Sequence, residues 1–131
     1  MAHRAIGGIG IDVAPFARMA RWIADHEARL SRVFTMGERA FCDAASGDRR
    51  VARYAAAFAA KEAVMKALGT GWRSDVEWRE IDTRTCDTSG AIRLSGNAAL
   101  VAEAQSIARI LVSTGAAAGA AFAAAVAERH A

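Results

Sequence analysis

A chain of 131 residues with 53% hydrophobic content has the length and composition of one folded domain, which excludes a disordered chain. Much of the apolar content is alanine, which packs closely but offers little area per side chain, so part of the stability is expected from subunit contacts. A net charge of +3 allows an acidic partner or an anionic substrate, and on its own reads as a solvated, arginine-rich surface.

The predicted elements begin with a strand over Ala5 to Val13, where Ile6, Ile9, Ile11 and Val13 supply the apolar positions. Gly8 and Gly10 in that run suggest a bulge or a close backbone approach. Pro15 suits the first turn of a helix, and Phe16 to Leu30 carries Phe16, Met19, Ile23 and Leu30 near helical spacing. Thr35 and Glu38 form a capping-box pattern that opens a second helix holding Phe41. Ser46-Gly47-Asp48 breaks it, and a third helix is predicted from about Arg49 to Leu68, stopped by Gly69. Alternation over Val76 to Thr83 predicts a strand; Asp87-Thr88-Ser89-Gly90 reads as a turn, and Ala91 to Leu94 as a short return strand. Asn97 to Gln105 reads as a helix and Ile107 to Ser113 as a buried strand. Thr114 to Gly119 is a small-residue turn, and Ala120 to Glu128 is taken as the partner strand of a hairpin, with a helix as the alternative. The order of elements is an α+β pattern.

Charge in the third helix is the main chemical signal. Phe58, Lys61, Glu62, Met65, Lys66 and Gly69 share one face at helical spacing, so acid and base sit beside residues that ought to be buried. An exposed Glu62–Lys66 pair is the plain alternative. The helix ends in Gly69-Thr70-Gly71, a turn whose backbone N–H groups can approach a phosphate. Asp12, inside GIGIDV, is either a cap for the segment beginning at Pro15 or a cation ligand. Asp12 and Glu62 together, with a lysine one turn on, suit magnesium and phosphate chemistry. The first helix carries Arg18, Arg21, Arg29 and Arg32, and Arg18 with Arg29, and Arg21 with Arg32, align as a basic stripe; the stripe fits a solvated face or an acidic partner, and lacks the interleaved aromatics of a nucleic-acid surface. His3, His26 and His130 have no metal-ligand spacing, and Cys42 and Cys86 are expected as free thiols. No cleavable signal pattern and no long apolar run is visible, so the expected location is cytoplasmic, without a membrane partner.

GIGIDV, followed by FAAKEAVMKALGTG with Glu62 fifty residues after Asp12, resembles the holo-acyl-carrier-protein synthases, the small 4′-phosphopantetheinyl transferases. The resemblance runs from about Gly8 to Val126. It implies a single compact domain over residues 1–131, with an antiparallel sheet packed against a long central helix. It implies magnesium-dependent transfer of 4′-phosphopantetheine from coenzyme A to a serine of an apo acyl carrier protein, releasing adenosine 3′,5′-bisphosphate, in the service of fatty acid or polyketide biosynthesis. By position, Asp12 and Glu62 would bind the metal, and Asp12, Glu62 and Lys66 would be the catalytic set, with Glu62 the candidate base. Lys66, Gly69, Thr70, Gly71 and Ser113 would line the coenzyme A site. Arg18 and Arg21 would meet the carrier protein, and a homotrimer with its site between subunits is expected. Lys61 belongs to the motif without an assigned contact. Ala57 and Gly115 stand where the family usually carries an arginine and a histidine, with Arg53 one turn before Ala57. Those two departures motivate the alternative, a non-catalytic relative that binds carrier protein or coenzyme A. A nucleic-acid-binding domain would rest on net charge alone.

Overall fold

The computed structural model describes residues 4–70, 75–84 and 91–131. Gly71, Cys86 and the turn predicted at 87–90 lie outside the described residues, as does His3. Strand β1 (Ile6–Pro15) leads into α1 (Phe16–Asp25), α2 (Glu27–Val33), α3 (Met36–Asp43) and the long α4 (Gly47–Leu68). A 3-10 turn (Trp78–Glu80), β2 (Ile81–Asp82), β3 (Arg93–Leu94), α5 (Gly96–Ala104), β4 (Ile107–Ala117) and β5 (Ala120–Arg129) complete the order. β5 lies between β1 and β4, antiparallel to both, and β2 pairs with β3. The α+β expectation of an antiparallel sheet packed on a long central helix describes this architecture.

Local chemistry explains several element ends. Thr35 and Glu38 make the reciprocal capping box that starts α3, and Gly69 closes α4 at φ 72°, a left-handed conformation that suits glycine. The β4–β5 turn is two residues, Ala118 at φ 52° and Gly119 at φ 79°, a pair of positive values whose twist matches a hairpin. The turn is therefore shorter than Thr114–Gly119: β4 continues to Ala117, because ladder pairing overrides the weak strand preference of alanine and glycine.

Two further expectations are corrected. The helix read over Phe16 to Leu30 is two helices, broken at His26, whose φ of −135° and ψ of 54° are not helical. The strand read over Val76 to Thr83 shrinks to Ile81–Asp82, and the alternation before it belongs to the 3-10 turn.

β1 lies unusually close to α4. A Cβ on Gly8 would stand 2.0 Å from the Ala67 carbonyl oxygen, and one on Gly10 would stand 2.0 Å from that of Ala63. Any side chain there would push strand and helix apart, which is the reason for glycine at both positions. The inner sheet face, with Ala14, Ala121, Ala123, Ala125 and Ala127 buried, packs on α4. The outer face is apolar and open. Its cross-strand rows are Ile9, Val126 and Leu111; Ile11, Ala124 and Ser113; and Val13, Phe122 and Gly115. Ile9, Ile11 and Val13 are 64%, 65% and 54% exposed.

Candidate functional site

Close packing at Gly8 and Gly10 carries Asp12, two residues on and on the same strand face, against the last turns of α4. Asp12 is 9% exposed. Its Oδ1 accepts from Lys66 Nζ at 2.9 Å, and the same ammonium donates to the Ile11 carbonyl at 2.9 Å. Asp12 Oδ2 is buried without a hydrogen-bond partner. Pro15 stands at the N-cap of α1 with no side-chain cap bond, so the capping alternative for Asp12 is set aside. Glu62 stands one helical turn before Lys66. Partial burial, with the Asp12 carboxylate beside it, pushes the Glu62 carboxyl up to about 7, against the opposing pull of Lys66 and Arg18. Arg18 therefore faces this cluster from α1. Lys66 is raised, chiefly by its bond to Asp12.

This arrangement fits a hard cation. A buried carboxylate oxygen without a partner is costly unless something else satisfies it, and a second carboxylate lies beside it. Among the described residues no group of three or more His, Cys, Asp or Glu side chains is assembled, so the chain would supply two oxygen ligands and leave other positions open. Magnesium accepts that donor set, since it keeps waters and bridges to substrate phosphates.

The remaining predicted residues are placed differently. Thr70 is 2% exposed; its hydroxyl and its amide both donate to the Met65 carbonyl, at 3.3 and 2.9 Å, and the Gly69 amide donates to the Lys66 carbonyl at 3.0 Å, so these two amides close the helix and do not point to a phosphate. Ser113 lies on the outer sheet face, opposite Ala124, whereas Asp12 lies on the inner one. Arg18 and Arg21 are exposed on α1, but the break at His26 separates them from Arg29 and Arg32, so the continuous stripe does not form. Arg29 instead covers the Trp22 ring, 5.0 Å from its centroid.

Lys61 does not share the Glu62 face. Its side chain is fully buried and pairs with the equally buried Glu38 at 2.8 Å. Burial pulls the Lys61 ammonium below its usual range, while Glu38 acts in the other direction. The sequence marks Glu38 only as a capping residue; its long-range partner has no local signal.

A second concavity, of about 300 Å³, lies beside α3 and α4. Ala52, Ala56, Ala57 and Thr83 line it, together with Arg53, Arg84 and the buried Glu38. The two guanidiniums sit 4.2 and 3.7 Å from the Phe41 ring centroid. Arg53, Ala57 and Ala60 lie roughly 140–180° around α4 from Glu62, at about 100° per residue.

The family model described as the 4′-phosphopantetheinyl transferase superfamily matches residues 8–126. A holo-[acyl-carrier-protein] synthase of an Anaeromyxobacter species is 41% identical over 125 residues, covering 92% of this chain and 94% of that one. The same-named protein of Methylobacterium radiotolerans is 48% identical over 99 residues, covering 72% and 69%. The crystal structure of a holo-(acyl-carrier-protein) synthase from Bacillus anthracis, in complex with CoA (3′,5′-ADP), aligns with a TM-score of 0.76 at 28% identity over 98% of this chain and 100% of that one. With a matching fold, a carboxylate pair joined to a lysine in the two motifs, and relatives of this similarity, the chain belongs to the 4′-phosphopantetheinyl transferase superfamily, as a holo-acyl-carrier-protein synthase.

Proposed function

We propose that the chain transfers 4′-phosphopantetheine from coenzyme A to a serine of an apo acyl carrier protein, with Asp12, Glu62 and Lys66 as the catalytic set. The observation that carries this reading is the unpartnered, buried Asp12 Oδ2 beside Glu62, with Lys66 bridging strand and helix. Magnesium held by Asp12 and Glu62 would neutralise charge on the diphosphate, a main lever in phosphoryl transfer.

The protein groups then have separate tasks. The carrier serine Oγ attacks the β-phosphorus of coenzyme A, and its proton passes to the Glu62 carboxylate. The bond from the β-phosphorus to the oxygen bridging the two phosphates breaks, and adenosine 3′,5′-bisphosphate leaves. In metal-free protein this carboxyl is raised to about 7; a bound cation would favour its carboxylate form, the form that accepts the serine proton. Lys66, with 52% of its side chain exposed, can turn toward the diphosphate. Gly69, at the end of α4, would border that position. Arg18 and Arg21 offer an acidic carrier surface complementary charge.

The cavity edged by Arg53 and Arg84 is a candidate for another portion of coenzyme A, with Arg53 in place of an arginine at 57. It opens on the side of α4 away from Glu62. A coenzyme A molecule meeting both features is best served by two copies of the chain. The open apolar sheet face, with Phe122 42% exposed beside Ile11 and Val13, supports association, and a homotrimer with shared sites is the reading. Ser113 would then serve a neighbour's site. No helix among the described residues is long and apolar enough to cross a membrane.

The test is direct. The chain is incubated with coenzyme A, magnesium and apo carrier proteins, and the carrier is weighed. The expected result is a mass gain of one phosphopantetheine, absent when magnesium is chelated. Carrier binding by calorimetry without any mass gain would instead favour the non-catalytic relative suggested by Ala57 and Gly115.

A further inference from the structure

Among the described residues between α4 and β3, regular structure is limited to the 3-10 turn at Trp78–Glu80 and to β2, Ile81–Asp82. Two buried charges help to hold residues 78–83. Lys61 Nζ donates to the Trp78 carbonyl at 2.9 Å and to the Ile81 carbonyl, and its remaining bond goes to Glu38. Glu38 Oε2 accepts from the Thr83 amide at 2.9 Å and the Thr83 hydroxyl at 2.6 Å, while Oε1 accepts from the Thr35 amide. Every donor of the ammonium is used. One knot thus joins the start of α3, the middle of α4 and residues 78–83.

Each end of the held segment bears on a candidate binding feature. Trp78 stacks on Phe58, with ring centroids 5.2 Å apart, one turn before Glu62. Arg84, next after Thr83, stands over Phe41 at the edge of the 300 Å³ cavity. A buried ion pair is weak evidence for stability alone, because a well-packed apolar pair often serves as well. What a saturated set of directional bonds adds is location: an apolar pair could not fix the Trp78 and Ile81 carbonyls or the Thr83 amide.

We propose that Lys61, acting through Glu38 and Thr83, is a positioning residue that fixes Arg84 at the coenzyme A cavity. The inference rests on the proposed transfer reaction and on the cavity being part of its substrate site. The double variant Lys61→Met with Glu38→Gln keeps most of the volume and removes both charges. Thr83→Val removes one hydroxyl and keeps the amide. Transfer is measured with coenzyme A varied at saturating carrier protein and magnesium, alongside thermal melting and amide exchange.

The double variant should raise KM for coenzyme A about tenfold while kcat stays within about twofold, since a misplaced binding group weakens substrate holding more than the chemistry elsewhere. Thr83→Val should raise it about threefold, in line with loss of one hydrogen bond. Amide exchange should quicken at 78–84 and not along α4. Unchanged KM in both variants, with only a lower melting temperature, overturns the proposal, as does a fall in kcat at constant KM. If the double variant does not fold, Thr83→Val decides alone by the same criteria. A wild-type chain that never adds mass to a carrier overturns the reaction instead. Coenzyme A binding by calorimetry then decides the positioning role: an unchanged Kd in Thr83→Val overturns it, and a raised Kd sustains it.

Discussion

Two acid–lysine pairs hang on the same helix and differ in almost every respect that matters. Glu38–Lys61 is sealed from solvent, and each of its polar atoms has a partner. Asp12–Lys66 is half open, with one carboxylate oxygen buried and unmet and the Glu62 carboxyl, raised chiefly by burial, beside it. The lesson is that charge on a packed helix says little until its bonds are counted. A saturated pair fixes structure, whereas an unsaturated one has capacity left for a ligand.

The largest contrast is kinetic. Glu62→Gln should lower kcat by about 10²–10⁴-fold, the usual range for a lost general base, with no loss of melting temperature. A transfer rate within a factor of a few of wild type would remove Glu62 from the catalytic set. The converse is thermodynamic: Lys61→Met alone leaves Glu38 buried without its counter-charge and should cost about 3–5 kcal/mol, read from denaturant unfolding. Asp12→Asn, by comparison, should leave stability close to wild type while lowering activity. Equal losses of stability from both substitutions would erase the distinction.

A smaller effect follows from pH. In metal-free protein the Glu62 carboxyl sits at about 7 rather than 4.5, so the folded state keeps a proton that the unfolded chain releases. Its contribution is full below about 4.5 and is lost as pH rises through about 7. Melting temperature between pH 5 and 8 should fall more in wild type than in Glu62→Gln, and parallel curves would contradict the assignment. Cys42 supplies the smallest test. Burial pushes its thiol up to about 12, so with Cys86 replaced by serine, a thiol reagent at pH 8 should label only unfolded protein.

The open pair was largely readable from the sequence, because Asp12 stands out in an apolar strand and Glu62 and Lys66 sit in a short, distinctive motif. The glycines at 8 and 10 announced a bulge or a close approach, and the Thr35–Glu38 box and Gly69 announced helix ends. These are local signals. The sealed pair was not readable: Glu38 and Lys61 find each other only after the chain folds, and their spacing carries no period. The false strand at Val76–Thr83 has a related cause, since alternation is shared by strands and by short irregular segments that keep one side against a core. The break at His26 has no glycine or proline to mark it, so periodicity ran through it and created a stripe of arginines that the backbone does not form.

Gly115 lies directly across from Phe122, and a Cβ there would come within 2.6 Å of the ring. The place of a side chain on β4 is thus taken by one reaching over from β5. The two positions form a single unit of sequence: either can carry bulk, but not both without displacement. Installing histidine at 115 alone would evict an aromatic ring from the open sheet face, so the change that engineers would try first is also the one that most disturbs how copies of this chain could meet.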